Sequence, residues 1–224
     1  ASGGTLSNLN ALIAARNNAG LASDPNSFLL VSEDAHSSFI KCTRIMGLDE
    51  KNLIRIKTDN KGCMDINNLI KVLEICSIQN KNIIAIVATI GTTVRGAIDP
   101  VNEIVEICKK RKIWLHIDGS IGGIFAITSI PIKGLDNINQ ANSITINPQK
   151  ILGITKTSSL LLVSDINTLE NTFNTGLPYI STNEKIINRG EIGIQGSRPA
   201  EIIKLWLGLR FLGMKGIENI LISS

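Results

Sequence analysis

The sequence predicts an α/β fold, a three-layer αβα sandwich around a mixed, mostly parallel sheet. Two observations carry the prediction. Apolar runs of strand length alternate with amphipathic helical stretches over residues 1–150, the order that builds a sheet covered by helices. One run, Ile83-Ile84-Ala85-Ile86-Val87-Ala88, is apolar without a break, as expected of a strand buried on both faces.

The elements follow in order. Ser2-Gly3-Gly4-Thr5 precedes a helical pattern of Leu6, Leu9 and Ile13. A helix opening on glycines offers unpaired N–H groups at its positive end, which suits a phosphate; an ordinary N-cap by Ser2 or Thr5 is the alternative. The glycine spacing is neither that of a P-loop nor GxGxxG. Residues 28–32 form a short apolar strand, and His36 stands at the turn into a helix carrying Ile40 and Ile45. Residues 53–57 alternate as a strand, and Asp65 caps a helix with Ile66, Leu69, Ile70 and Leu73. Asp99-Pro100 opens the next helix, with Asp99 read as N-cap and Pro100 as its first residue. Lys109-Lys110-Arg111-Lys112 closes it, where cations suit the dipole. A strand over residues 113–117 ends in Asp118-Gly119-Ser120. Residues 143–147 alternate as a strand, and Pro148 stops it just before Lys150. Residues 158–163 form a further strand. Residues 165–192, with Tyr179 as the only tyrosine, read as irregular, and a last amphipathic helix carries Ile202, Leu205, Trp206, Leu209 and Leu212.

Composition excludes several classes. With 43% hydrophobic and 19% charged residues, the chain is globular and not disordered. The net charge of +4 is scattered, the one dense basic run closes a helix, and aromatics are 4%, so no nucleic-acid partner is expected. The four cysteines have no CxxC spacing and no histidine at a zinc-like offset, which predicts no metal site and the reduced thiols of a cytoplasmic protein. No apolar run is long enough to span a bilayer and no signal peptide is visible, so no membrane role is expected.

In open α/β sheets, ligands bind beyond the carboxyl ends of the strands. Four polar clusters fall at such ends: residues 32–36, 89–93, 118–120 and 147–150. Asp118 and Lys150, an acid and the one lysine among these clusters, each stand at the tip of a buried strand. Pyridoxal phosphate needs this pair, a lysine for the Schiff base and an acid for the pyridinium nitrogen.

Together these motifs resemble the group II pyridoxal-phosphate-dependent amino acid decarboxylases, and the resemblance covers nearly the whole chain. It rests on Ser2-Gly3-Gly4-Thr5 with residues 11–16, Ala35-His36-Ser37-Ser38, Ala88-Thr89-Ile90-Gly91-Thr92-Thr93, Gly96-Ala97-Ile98-Asp99-Pro100, Trp114-Leu115-His116-Ile117-Asp118, Asn147-Pro148-Gln149-Lys150, and Gly196-Ser197-Arg198 with Lys204-Leu205-Trp206.

The resemblance implies a fold-type-I large domain over residues 1–224, with an N-terminal segment and a small C-terminal domain lying outside this sequence. It implies decarboxylation of an L-amino acid to the amine and carbon dioxide, and a homodimer. Lys150, Asp118 and His36 would be catalytic: the Schiff-base lysine, the pyridinium partner and the residue stacked on the ring. Gly3, Gly4, Thr5, Thr92, Ser120, Asn147 and Gln149 would join them around the cofactor. His116 is read as lying off the Asp118 face, a satisfied core histidine, and Arg198 as a structural residue. Three features depart from the family pattern. Gln149 replaces the usual histidine, Gly119-Ser120-Ile121 replace two alanines and an aromatic, and no loop tyrosine is recognisable around residues 180–190. A carbon–carbon lyase, a transaminase or a non-catalytic domain on the same scaffold stays open at this level.

Overall fold

The computed structural model describes residues 1–132, 134–156, 158–176 and 188–224. Tyr179 and most of the stretch scanned for a loop tyrosine lie outside them. Six strands form one sheet: β1 (Ser27–Ser32), β2 (Leu53–Ile56), β3 (Asn82–Thr89), β4 (Trp114–Gly119), β5 (Ser143–Ile146) and β6 (Leu160–Val163), in the order β2-β1-β3-β4-β5-β6. Neighbours are parallel up to β5, and β6 joins antiparallel at the edge.

Side-chain alternation on the strands divides the core into two layers. Leu30, Ile86, Leu115 and Ile117 pack on one face with Leu69 and Leu73 of α3 (Ile66–Ile78) and with Val101, Ile104 and Val105 of α4 (Val101–Arg111). Leu29, Val31, Val87 and Trp114 pack on the other with Leu9, Leu12 and Ala15 of α1 (Gly4–Asn18) and with Phe39 of α2 (Ser38–Ile45). The three-layer sandwich is therefore present, and both β3 and β4 are covered on each side, as the unbroken apolar run of β3 required. A third cluster joins Ile146 and Leu152 to Ile217 and Leu221 of α6 (Ile202–Ile222), which kinks at Gly213.

Several local expectations change. Asp99 does not cap α4. Pro100 holds the cap position without a side-chain bond, and the fully buried Asp99 carboxylate accepts from Met64 N and Thr89 N, both at 2.7 Å. It thereby ties the turn before α3 to the tip of β3, and burial pushes its pKa up to about 6. Neither Ser2 nor Thr5 caps α1; Gly3 does, in extended backbone, and its carbonyl accepts from Leu6 N and Ser7 N. The stretch read as irregular contains α5 (Asn167–Phe173), a short helix packed on α1, where the Asn17 amide donates to Thr172 Oγ1 at 3.2 Å. Asp65 caps α3 as its sequence requires, accepting from Asn67 N and Asn68 N.

Candidate active site

The carboxyl ends of β1, β3, β4 and β5 and the first turn of α1 surround one cavity. Gly4, Thr5, Asn8, His36, Ser38, Thr89, Asp118, Ser120, Asn147 and Lys150 line it, with Gly91, Thr93 and Ile121. Register explains the gathering: Thr89 pairs with Asp118, and Asp118 with Thr145, so each neighbouring strand ends at the same level. Parallel strands point all their carboxyl ends to one rim, and the chain leaves each there through a polar turn.

Lys150 follows the turn that Pro148 starts; its N–H bonds Asn147 O at 3.0 Å, and its side chain is exposed to the cavity. Asp118 is buried at the tip of β4, and its Oδ1 accepts from Ser120 N at 3.1 Å while Oδ2 accepts from the Asn8 amide at 3.0 Å. His36 is held by its own backbone turn, with Nδ1 accepting from Ser38 N at 3.1 Å. That bond leaves the ring proton of neutral His36 on Nε2. The Asn147 amide bridges elements: its oxygen accepts from Gly4 N at 3.3 Å, and its nitrogen donates to Ile146 O at 3.3 Å and to the Ser159 hydroxyl.

Three predicted site residues stand elsewhere. Thr92 turns inward, and its hydroxyl accepts from Ala97 N at 3.0 Å, closing the loop after β3; the next residue, Thr93, lines the cavity instead. Gln149 reaches along the chain to accept from Ser158 N at 2.7 Å, so its side chain braces the segment after Lys150. Gly3 contributes its carbonyl to α1 and lies behind the lining. Arg198 donates to Arg189 O at 2.5 Å, a structural bond.

His116 is a satisfied core histidine, but it shares the Asp118 face. Residues two apart on a strand point the same way, and Asn8 touches both, with its Oδ1 3.0 Å from His116 Nε2. Asn8 itself went unread in the sequence. Its signal was polar residues, Ser7, Asn8 and Asn10, set among the apolar positions of the first turns of the helix, and Ser7 and Asn8 are fully buried. Ser38 and Thr89 belong to motifs the sequence offered, but line the cavity beyond the predicted site residues.

The cavity's chemistry fits a flat anionic cofactor. The Ser38 and Thr89 hydroxyls are buried at its wall and find no hydrogen-bond partner among the described residues. Buried hydroxyls of this kind call for a bound group. At Gly4 a Cβ would come within 2.7 Å of both the Asn147 amide and Ser120 Oγ, so only glycine keeps the helix end open there. Among the described residues no His/Cys/Asp/Glu group could hold a metal, and the cysteines are free.

An αβα sandwich with an acid and a lysine on one strand-end cavity defines a class of cofactor-dependent folds, and comparison with known proteins gives the family. The conserved domain of the pyridoxal-dependent decarboxylases matches residues 1–223, and the chain belongs to that family. It is 32% identical over 230 residues to the acidic amino acid decarboxylase GADL1 of Xenopus tropicalis, covering 97% of this chain and 45% of that protein. Its structure resembles mouse CSAD with a TM-score of 0.88 at 28% identity, over 98% of this chain and 48% of the other. It also resembles Catharanthus roseus tryptophan decarboxylase in complex with L-tryptophan, with a TM-score of 0.87 at 26% identity, over 98% of this chain and 47% of the other. The chain thus spans about half the length of the relatives it matches.

Proposed function

We propose that this chain is the cofactor-binding half of a pyridoxal-phosphate-dependent decarboxylase, converting an L-amino acid to its amine and carbon dioxide. The observation that carries the reading is the cavity shared by Lys150, Asp118 and the first turn of α1, at the carboxyl ends of parallel strands. Family membership supports the reaction class.

When bound, pyridoxal phosphate supplies an electron sink for the pair left as the Cα–carboxylate bond breaks. The chain's residues do the rest. Lys150 Nζ would anchor the cofactor and would carry a proton to Cα. Asp118, its own oxygens fixed by Asn8 and Ser120 N, would hold a proton at the ring nitrogen. His36, which lines the cavity, would lie against the ring. The Thr5 N–H at the positive end of α1, with Ser120 and Asn147, would hold the phosphate. Ser38, Thr89 and Thr93 offer hydroxyls to the cofactor or substrate. Loss of carbon dioxide needs no base at position 149, so Gln149 is compatible with the reaction.

The assembly we infer is a homodimer in the cytoplasm, without nucleic-acid or membrane partners. The exposed apolar residues of α6, Ile203, Trp206, Leu207 and Phe211 among them, support a covering surface. Among the described residues, no helix is long and apolar enough to cross a membrane.

The test uses the full-length protein. Borohydride reduction of the cofactor-loaded enzyme should fix the label on Lys150, and an accepted L-amino acid should yield amine and carbon dioxide in equal amounts. A label on another lysine, or ammonia or keto acid in place of carbon dioxide, would overturn the proposal.

A further inference from the structure

Five buried side chains form a continuous hydrogen-bonded line beneath the cavity. Trp114 Nε1 donates to Ser143 Oγ at 2.8 Å, and Ser143 Oγ lies 2.8 Å from His116 Nδ1. His116 Nε2 lies 3.0 Å from Asn8 Oδ1, and Asn8 Nδ2 donates to Asp118 Oδ2 at 3.0 Å. All five residues are more than nine-tenths buried, so water does not compete for these bonds.

Elementary chemistry gives each bond one direction. An ionised carboxylate only accepts, so Asn8 must turn its NH2 toward Asp118 and its oxygen toward His116. That oxygen only accepts, so His116 carries a proton on Nε2. Burial pushes the His116 pKa down to about 4, against the opposing pull of Asp118, so the ring is neutral near pH 7 and Nδ1 is an acceptor. The Ser143 hydroxyl therefore donates to Nδ1. The indole N–H, which can only donate, occupies a lone pair of the same oxygen and aims that hydroxyl. Taken alone, an asparagine amide turns over readily. Here turning Asn8 over would set acceptor against acceptor at Asp118 and donor against donor at His116.

We propose that Asn8, His116 and Ser143 are positioning residues that hold the Asp118 carboxylate in one orientation toward the cofactor. This rests on the reading of Asp118 as the partner of the ring nitrogen. The line reaches from the middle of the sheet to the cavity wall: Ser143 and His116 are paired in β5 and β4, and Asn8 comes from the helix whose first turn lines the cavity. One element thus serves both ends of the cofactor. Its N-terminus faces the phosphate position, and its second turn fixes the acid at the ring position.

Three measurements on the full-length protein test this. The first titrates cofactor-free protein with pyridoxal 5′-phosphate, as the native chain, Asn8→Leu, Asp118→Asn and the double variant. Asn8→Leu should weaken cofactor binding roughly 10- to 100-fold, the range for a buried hydrogen bond to a charged group. In the Asp118→Asn background that effect should vanish, because the amide then has no carboxylate to hold. An equal loss in both backgrounds would mean that Asn8 serves only the packing, and would overturn the proposal. If Asp118→Asn alone leaves binding and turnover unchanged, the reading of Asp118 falls, and this proposal with it. The second measurement needs no variant and no cofactor. Nitrogen-15 NMR should show neutral His116 protonated at Nε2, and a proton on Nδ1 would overturn the proposed line. Ser143→Ala should weaken cofactor binding and Ser143→Thr, which restores the hydroxyl, should recover it; equal loss in both would count against Ser143.

Discussion

Asp99 and His116 are both fully buried titratable residues, and their pKa values move in opposite directions. Burial pushes the Asp99 carboxyl up to about 6, so the folded chain binds that proton more tightly than the unfolded one. Its contribution is complete below the unfolded carboxyl pKa of about 4 and is lost as the pH rises through 6. His116 has the reverse sign. Its folded pKa of about 4 lies below the ordinary histidine value, so the unfolded chain takes up the proton first on acidification. Its contribution is complete above pH ~6.5 and is lost as the pH falls toward 4. Each effect is on the order of 3 kcal/mol, because every tenfold change in proton affinity is worth about 1.4 kcal/mol. Between pH 4 and 6 they oppose, so single variants should expose each slope. Relative to the native chain, His116→Gln should gain stability progressively from pH 6.5 to 4, and Asp99→Asn should lose it over the same range. Urea unfolding at four pH values checks this, and parallel curves for all three proteins would refute it.

At the scale of the element, the turn after β4 explains a departure from the family pattern. Gly119 stands where the family places alanine. A Cβ there would lie 2.9 Å from Gly123 Cα and 3.0 Å from Thr145 O, both backbone atoms that cannot swing aside. The short 3-10 segment Gly122–Ile127 therefore packs closer to β5 than a side chain at 119 allows. Gly119→Ala should destabilise the protein by about 1–3 kcal/mol, the usual range for overpacking. Gly196→Ala, with nothing within 4 Å of its new carbon, should stay within about 0.5 kcal/mol of native. Thermal unfolding of the two variants makes the comparison, and equal midpoints would remove the packing argument.

At the scale of the whole molecule, α6 is the element least explained by this chain alone. Only Leu205, Ile217 and Leu221 are buried, while Phe211 is 90% exposed and Trp206 57% exposed. A face of this kind is ordinarily covered. With a second subunit as the cover, the full-length protein should sediment as a dimer and Phe211→Glu should shift it toward monomer. A native full-length protein that sediments only as a monomer would contradict the dimer.

The sequence by itself determined the order of the strands and of every long helix, though not the short α5, together with the layers and the rim where the site lies. Those follow from local periodicity, from Asp65 and Pro148 as start and stop signals, and from the rule that parallel strands end on one side. It also placed Lys150, Asp118 and His36, because each sits beside a strand end that sequence alone defines. Tertiary structure decided which neighbour faces inward. Thr93 lines the cavity where Thr92 was expected, Gln149 braces Ser158, and Asp99 ties β3 to a distant turn where a helix cap was expected. These outcomes depend on loop torsions and on partners up to 35 residues away, as between Met64 and Asp99, which no local pattern encodes. The line from Trp114 to Asp118 is the extreme case. Its members come from two strands and a helix, with 108 residues separating Asn8 from His116, and only the folded sheet brings their donors and acceptors into one direction.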